Sequence, residues 1–307
     1  MQYIKKLSFA PIFLISLLFL LSLLSSLFRS YDFIFSLSLD TFFQLLTLSL
    51  LLGLVSISFV IFAALCNDWR FVVPVGILAA LSPFLFFDPS LVIVFGIGIL
   101  ISILLIFVNL ENVLKTYLTF QPAAILGPSI RHLTTLLILI ISLTYFLSIN
   151  KTVSEKGFSI PDSLIDTALK FTPLPEPMEE ESSIPNLSIS SDQIALLKQN
   201  PNLLEQFGLD PSVLDSLNQP QKTTTPKDLT QSLLKEAVKA QFDNLIKPYA
   251  SFIAPLLAVM LFLTLQALSS FVNLLIYPVL WIIFYIFERT GFVKFIEETR
   301  VVKKLVI

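Results

Sequence analysis

The sequence predicts an all-α, polytopic membrane protein with about six transmembrane helices and a small extracytoplasmic helical insert before the last of them. Three observations carry that reading. The apolar residues come in blocks longer than about 18 residues, the length that crosses a hydrocarbon core. Only 14% of the 307 residues are charged, where a soluble domain carries about a quarter. The basic residues outside the polar insert collect between alternate apolar blocks, as they do when one side of a membrane retains them.

In chain order, Lys5 and Lys6 precede a first apolar block at 7–28. Its apolar core exceeds the roughly 7–15 residues of a secretory signal and no small-x-small cleavage site follows, so it reads as an uncleaved signal-anchor span. A short connection with Arg29, Asp32 and Asp40 leads to the second span, 41–66, and residues 67–70 form a tight turn. The third span, 71–87, is short and interrupted by Pro74 and Pro83. Asp88-Pro89 is a turn, and the fourth span covers 90–110.

Residues 111–131 are less apolar, with Lys115, Gln121, Pro122, Gly127 and Pro128. Leu114, Tyr117, Leu118 and Phe120 suggest a segment lying in the membrane interface. The fifth span is 132–149. After the insert, 249–287 is apolar throughout, roughly 58 Å of helix, about twice a hydrocarbon core. The expectation is one long final span whose second part is half-buried, not a hairpin of two. The tail, 288–307, is basic.

Orientation follows from a count. With six spans and an inner N-terminus, the inner segments hold Lys5, Lys6, Arg70, Lys115, Arg131, Arg289, Lys294, Arg300, Lys303 and Lys304, while the short outer loops hold Arg29 alone. This asymmetry predicts a plasma (inner) membrane protein with both termini cytoplasmic and 150–248 outside. A seventh span would push the five basic residues of the tail outward.

The insert, 150–248, carries nine lysines against fourteen acidic residues. Pro161 opens a short helix with Leu164, Ile165, Ala168 and Leu169 on one face. A Pro- and Glu-rich linker follows at 172–187. Three short helices then supply a minimal core that includes Leu203, Leu204, Phe207 and Leu214. A stalk helix, 226–247, opens on Thr225-Pro226 and repeats apolar residues at three and four, Leu233, Val238 and Phe242 among them. Those seven apolar residues are the candidate partner surface.

Few residues carry candidate chemistry. Asp40, Gln44, Gln266 and Asn273 are polar residues in or near spans, read as span-end or interhelical hydrogen-bonding groups. Ser49 with Gly53 and Gly76 with Ala80 have small-xxx-small spacing, and Gly96 and Gly98 add a thin surface, so these six are candidate helix-packing positions. Tyr31-Asp32 and Gly96-Ile97-Gly98 stop short of an intramembrane aspartyl dyad, because residue 99 is Ile and a second carboxylate is missing. Arg131-His132 reads as an anchor or lipid-headgroup contact at the inner start of the fifth span. Asn150-Lys-Thr and Asn186-Leu-Ser fit a glycosylation sequon.

The sequence has no phosphate-binding Gly-rich loop, no HExxH and no Gly-x-Ser-x-Gly. The single Cys66 and single His132 rule out an intrachain disulfide and a multi-histidine metal centre, so no cofactor or metal is expected. A net charge of −2 without a basic groove gives no reason to expect nucleic acid. The expected surroundings are the lipid bilayer, with a protein partner or a second copy of the chain. The functional expectation is a non-enzymatic scaffold or accessory subunit that presents the outer helical region. A small-solute transporter or channel subunit is the alternative, suggested by the Pro-broken third span and Gly-bearing fourth. A lipid-acting membrane enzyme ranks third.

Overall fold

The computed structural model describes residues 7–28, 38–117, 120–156 and 249–293. All their regular structure is helical, in six helices with no strand among the described residues. These are α1 (Phe9–Leu27), α2 (Leu39–Cys66), α3 (Trp69–Leu81), α4 (Pro89–Thr116), α5 (Pro122–Lys156) and α6 (Ala250–Arg289). Every one except α3 is long and apolar enough to cross a membrane. The protein is thus an all-α, polytopic membrane bundle.

The described residues fall in two compact units. Residues 7–28, 38–117, 120–149 and 257–293 form the bundle, and 150–156 with 249–256 belong to the second unit. Of the second unit, the end of α5 and the first turns of α6 are described, and within it the Ser154 hydroxyl donates to the Asn150 carbonyl at 2.7 Å. The expected insert helices, the stalk at 226–247 and the seven candidate partner residues Leu203, Leu204, Phe207, Leu214, Leu233, Val238 and Phe242 lie outside the described residues. So does the tail beyond residue 293.

Local chemistry sets the helix ends. Ser38 caps α2, its hydroxyl accepting from the Thr41 N–H at 3.1 Å, and Asp40 sits in the first turn where a negative charge complements the helix dipole. Asn67 ends α2 in the left-handed region (φ 42°), a conformation Asn tolerates better than most residues. Asp68 immediately caps α3, accepting from the Arg70 N–H at 3.0 Å. The reversal expected over 67–70 is therefore shorter: Trp69 and Arg70 are already helical.

The third span is made of two kinds of helix. Pro74 is carried inside α3, and Ser82–Leu85 continues as a 3-10 helix with Pro83 in its first turn. At about 1.5 Å and then 2.0 Å per residue the 17 residues Trp69–Leu85 reach about 27 Å, close to a hydrocarbon core of ~30 Å. The looser rise of the 3-10 turn offsets the shortness of the segment.

The segment expected to lie in the interface, 111–131, is not a separate element. Helix α4 continues to Thr116, its last turn bridged by Lys115 and Glu111 at 2.7 Å. Helix α5 starts at Pro122, ten residues before the expected span at 132. Proline fits a first helical position because its missing N–H has no partner there anyway, and Pro128 is accommodated inside the helix. Polar residues that suggested a surface segment are simply the ends of two long helices. Likewise 249–287 is neither a hairpin nor two spans: α6 is one helix of 40 residues, about 60 Å.

Ring contacts give the direction of each helix in the bundle. At one end Phe9 of α1 meets Phe287 of α6 (5.4 Å between centroids), Trp69 of α3 meets Phe107 of α4 (4.6 Å), and Phe120, just before α5, meets Phe284 (5.5 Å). At the other end Phe28 touches Phe87 and Tyr145, and the Ser148 hydroxyl donates to the Phe28 carbonyl at 3.2 Å. The helices therefore run alternately up and down, with α2 and α6 parallel to each other. Helix α1 pairs mainly with α2, and α3 with α4, with α2 also reaching α4. Among the long helices α2 is the most enclosed, with Leu48, Leu52, Phe59, Val60 and Phe62 fully buried.

Candidate functional site: the seams between helices

Apolar side chains cannot drive helices together in lipid, because lipid tails are equally apolar. Association depends on close packing and interhelical hydrogen bonds. The chain supplies both, in four places where a glycine faces a neighbouring helix.

The closest approach joins α4 to α3. A β-carbon added at Gly96 would stand 2.5 Å from the Ala80 carbonyl oxygen, so only glycine lets these two backbones touch. Gly76 faces the same pair of helices from the α3 side, its added β-carbon 3.3 Å from the Ile103 methyl. On the other side of α4, Gly98 receives the Ile140 side chain of α5 at 2.8 Å by the same measure. Gly53 of α2 receives Val272 of α6 at 2.7 Å. The six small residues singled out from the sequence thus serve three different roles. Gly53, Gly76, Gly96 and Gly98 are contact points, Ala80 contributes its backbone, and Ser49 is buried one turn before Gly53.

Hydroxyl groups are threaded through the same interior. The Thr134 hydroxyl of α5 donates to the Ser56 Oγ of α2 at 2.9 Å and also lies 2.9 Å from its own Ile130 carbonyl. Four other interior hydroxyls turn back onto the preceding turn of the chain: Ser16 to Phe13, Ser58 to Leu54, Ser82 to Ala79 and Thr144 to Ile140. Sequence reasoning did not single out the Ser56–Thr134 bond. The signal for it was the seven-residue spacing of Ser49 and Ser56, which puts both on one face of α2.

The four intramembrane polar candidates do not converge. Asp40 and Gln44 are exposed in the first two turns of α2. Gln266 and Asn273 are half-buried and share a stripe of α6 with the buried Ser269. Gln266 Oε1 and the hydroxyls of Ser49, Ser129 and Ser142 are buried without a hydrogen bond to another protein group. No acid–base pair and no nucleophile–base pair arises among these residues. Among the described residues no three His, Cys, Asp or Glu side chains stand close enough to hold a metal ion.

One end of the bundle is dressed for a membrane interface. Trp69 donates its indole N–H to Glu111 at 3.3 Å, beside the Lys115–Glu111 pair. On α6, Trp281 stacks on Tyr285 at 5.6 Å, and Arg289 donates to the Tyr285 hydroxyl at 3.2 Å. Amphipathic rings and snorkelling cations of this kind settle at headgroup depth. Arg131 and His132, expected at the start of a span, are instead in the third turn of α5, and both are exposed.

Compared with protein-family models, with curated proteins and with solved structures, the chain matches none.

Proposed function

We propose that the protein is a non-enzymatic scaffold or accessory subunit of a plasma (inner) membrane, with cytoplasmic termini and residues 150–248 held outside. The observation that carries the orientation is the distribution of charge over the bundle. Its four described basic residues, Arg70, Lys115, Arg131 and Arg289, all lie toward the end where α2, α4 and α6 finish and α3 and α5 begin. Up to residue 149 the opposite end of the bundle holds Asp40 and Asp88 and no described base, and Lys151 and Glu155 follow on the continuation of α5. Cytoplasmic retention of Lys and Arg makes the basic end the inner one. With the basic end inside, this reading assigns residues 150–248, which follow α5 in sequence and precede α6, to the outer side. Helix α1 then acts as an uncleaved signal anchor.

The scaffold role is supported by the interior chemistry. Glycine seams and hydroxyls turned onto their own helices serve packing, and the insert is the one long polar stretch available to a partner. The test is crosslinking and affinity capture from the native membrane, with and without residues 189–217. The reading expects a defined set of copurifying proteins that the deletion removes, and an unchanged set would sink it. Protease added from each side of sealed vesicles checks the orientation, since 150–248 must be cut only from outside.

A transporter or channel subunit is a second reading, favoured by one observation. Gln266 Oε1 and three serine hydroxyls are buried without protein partners, as groups lining a solute path would be. Solute-dependent thermal stabilisation of the purified chain would favour it, and its loss in Gln266→Leu would place the path.

A further inference from the structure

We propose that Arg131 and His132 form a binding site for the phosphate of a membrane phospholipid, on the outer face of α5 and below the surface of the bilayer. The inference rests on the membrane-spanning bundle and not on which side carries residues 150–248.

The depth of Arg131 comes from two independent rulers. The Thr134–Ser56 hydrogen bond sets those residues at one level. Ser56 lies ten residues before the end of α2 and Arg131 three residues closer to that end than Thr134, which puts the Arg131 backbone about 10 Å inside the bundle end. Counted along its own helix from Pro122, it is about 14 Å from the start. Trp69, Glu111 and Lys115 mark the interface at that end, so Arg131 and His132 are rooted among lipid tails.

Both side chains are exposed on the bundle surface, in a stripe with Ala124, Pro128 and Leu139. Among the described residues no carboxylate pairs with Arg131; the ion pair found there joins Lys115 to Glu111. A guanidinium rooted among lipid tails must reach water or find an anion. Its direction shows how. The Arg131 Nη2 lies 4.0 Å from where a Gly127 β-carbon would be, so the side chain folds back over the glycine toward the interface.

Pro128 adds a second polar feature on the same stripe. Lacking an N–H, it leaves the Ala124 carbonyl without its helical donor. A phospholipid satisfies both needs. Its phosphate accepts from the Arg131 fork and the His132 ring N–H, and a headgroup with hydroxyl donors reaches the open carbonyl. Phosphatidylglycerol has this chemistry; phosphatidylcholine has the phosphate without the donors or the net charge.

The test uses the full chain, purified in detergent and examined by native mass spectrometry with added phosphatidylglycerol or phosphatidylcholine. One phosphatidylglycerol is expected to be retained per chain in preference to phosphatidylcholine. Loss of the charge-assisted bonds in Arg131→Gln should weaken retention about tenfold, while Arg131→Lys keeps most of it. Lys115→Gln, at the interface and already paired, should leave it unchanged. Inorganic phosphate should not displace the lipid; displacement would mean a free-anion site and overturn the proposal. Equal retention by Arg131→Gln overturns it too, as does loss of a dimer peak in place of lipid, which would assign Arg131 to a contact between copies. Should Arg131→Gln not fold, the wild type is compared on phosphatidylglycerol and on phosphate-free diacylglycerol with the same acyl chains, and equal retention again overturns it.

Discussion

Helices α2 and α6 are similar in apolarity, and they meet at Gly53 and Val272, yet they live in different surroundings. Helix α2 is enclosed by its neighbours and carries Ser49, Gly53, Ser56 and Ser58 in its buried face. Helix α6 turns Leu263, Phe271, Leu274 and Trp281 outward. The difference teaches that hydropathy in a membrane protein reports the spanning of lipid and not burial in protein. Small and hydroxyl-bearing residues mark the inside here, and large apolar ones mark the outside as often as the core.

That contrast can be broken most forcefully at the seams. Gly96→Val forces a side chain into the Ala80 carbonyl, which is backbone and cannot turn aside, and should cost roughly 3 kcal/mol, at the upper end of ordinary overpacking. Reversible unfolding in mixed micelles would measure it, and a variant as stable as the wild type would refute the backbone contact. Gly53→Ala meets the Val272 side chain, which can shift where backbone cannot although its branched β-carbon holds one rotamer, and should cost about 1–2 kcal/mol. Pairing it with Val272→Ala should recover most of that loss; a double-mutant cycle with no coupling would separate α2 from α6.

Smaller effects sharpen the same comparison. Asp68→Ala removes the cap of α3 and should lower stability by about 1 kcal/mol. Thr134→Val breaks the bond to Ser56 and should cost about 0.6 kcal/mol, with no further loss when Ser56→Ala is added. Leu274→Ala, on the outward face of α6, should stay within about 0.5 kcal/mol of wild type when measured in the same micelles. A large loss there would mean that this face is covered, by a second copy or by another protein.

The spans were legible because length and apolarity are local properties. The turns at 67–70 and at Asp88-Pro89 were marked by residue types that favour reversals, whereas the Ser38 cap, three residues before the expected start of the second span, was not singled out. The stretch 111–131 misled because its polar residues resemble a surface segment, whereas Pro122 and the Glu111–Lys115 spacing are equally helix-end signals. Small-xxx-small spacing found the pairs Ser49/Gly53 and Gly76/Ala80 but not their partners. Nothing in the spacing says that Gly53 faces Val272, that Gly98 faces Ile140, or that Ser56 bonds Thr134, residues 78 positions apart.

By itself, the sequence determined that this chain is a helical membrane protein, roughly where every helix except α5 starts, and which basic residues gather between them. Each of those depends on the cost of exposing backbone and charge to hydrocarbon, which a linear reading can count. Only the tertiary structure decided which apolar faces meet protein and which meet lipid, because lipid and protein interiors are alike in polarity and the choice rests on shape. It also decided that Arg131 lies deep along a helix begun at Pro122, since the depth of a residue is fixed by the neighbours it stands level with.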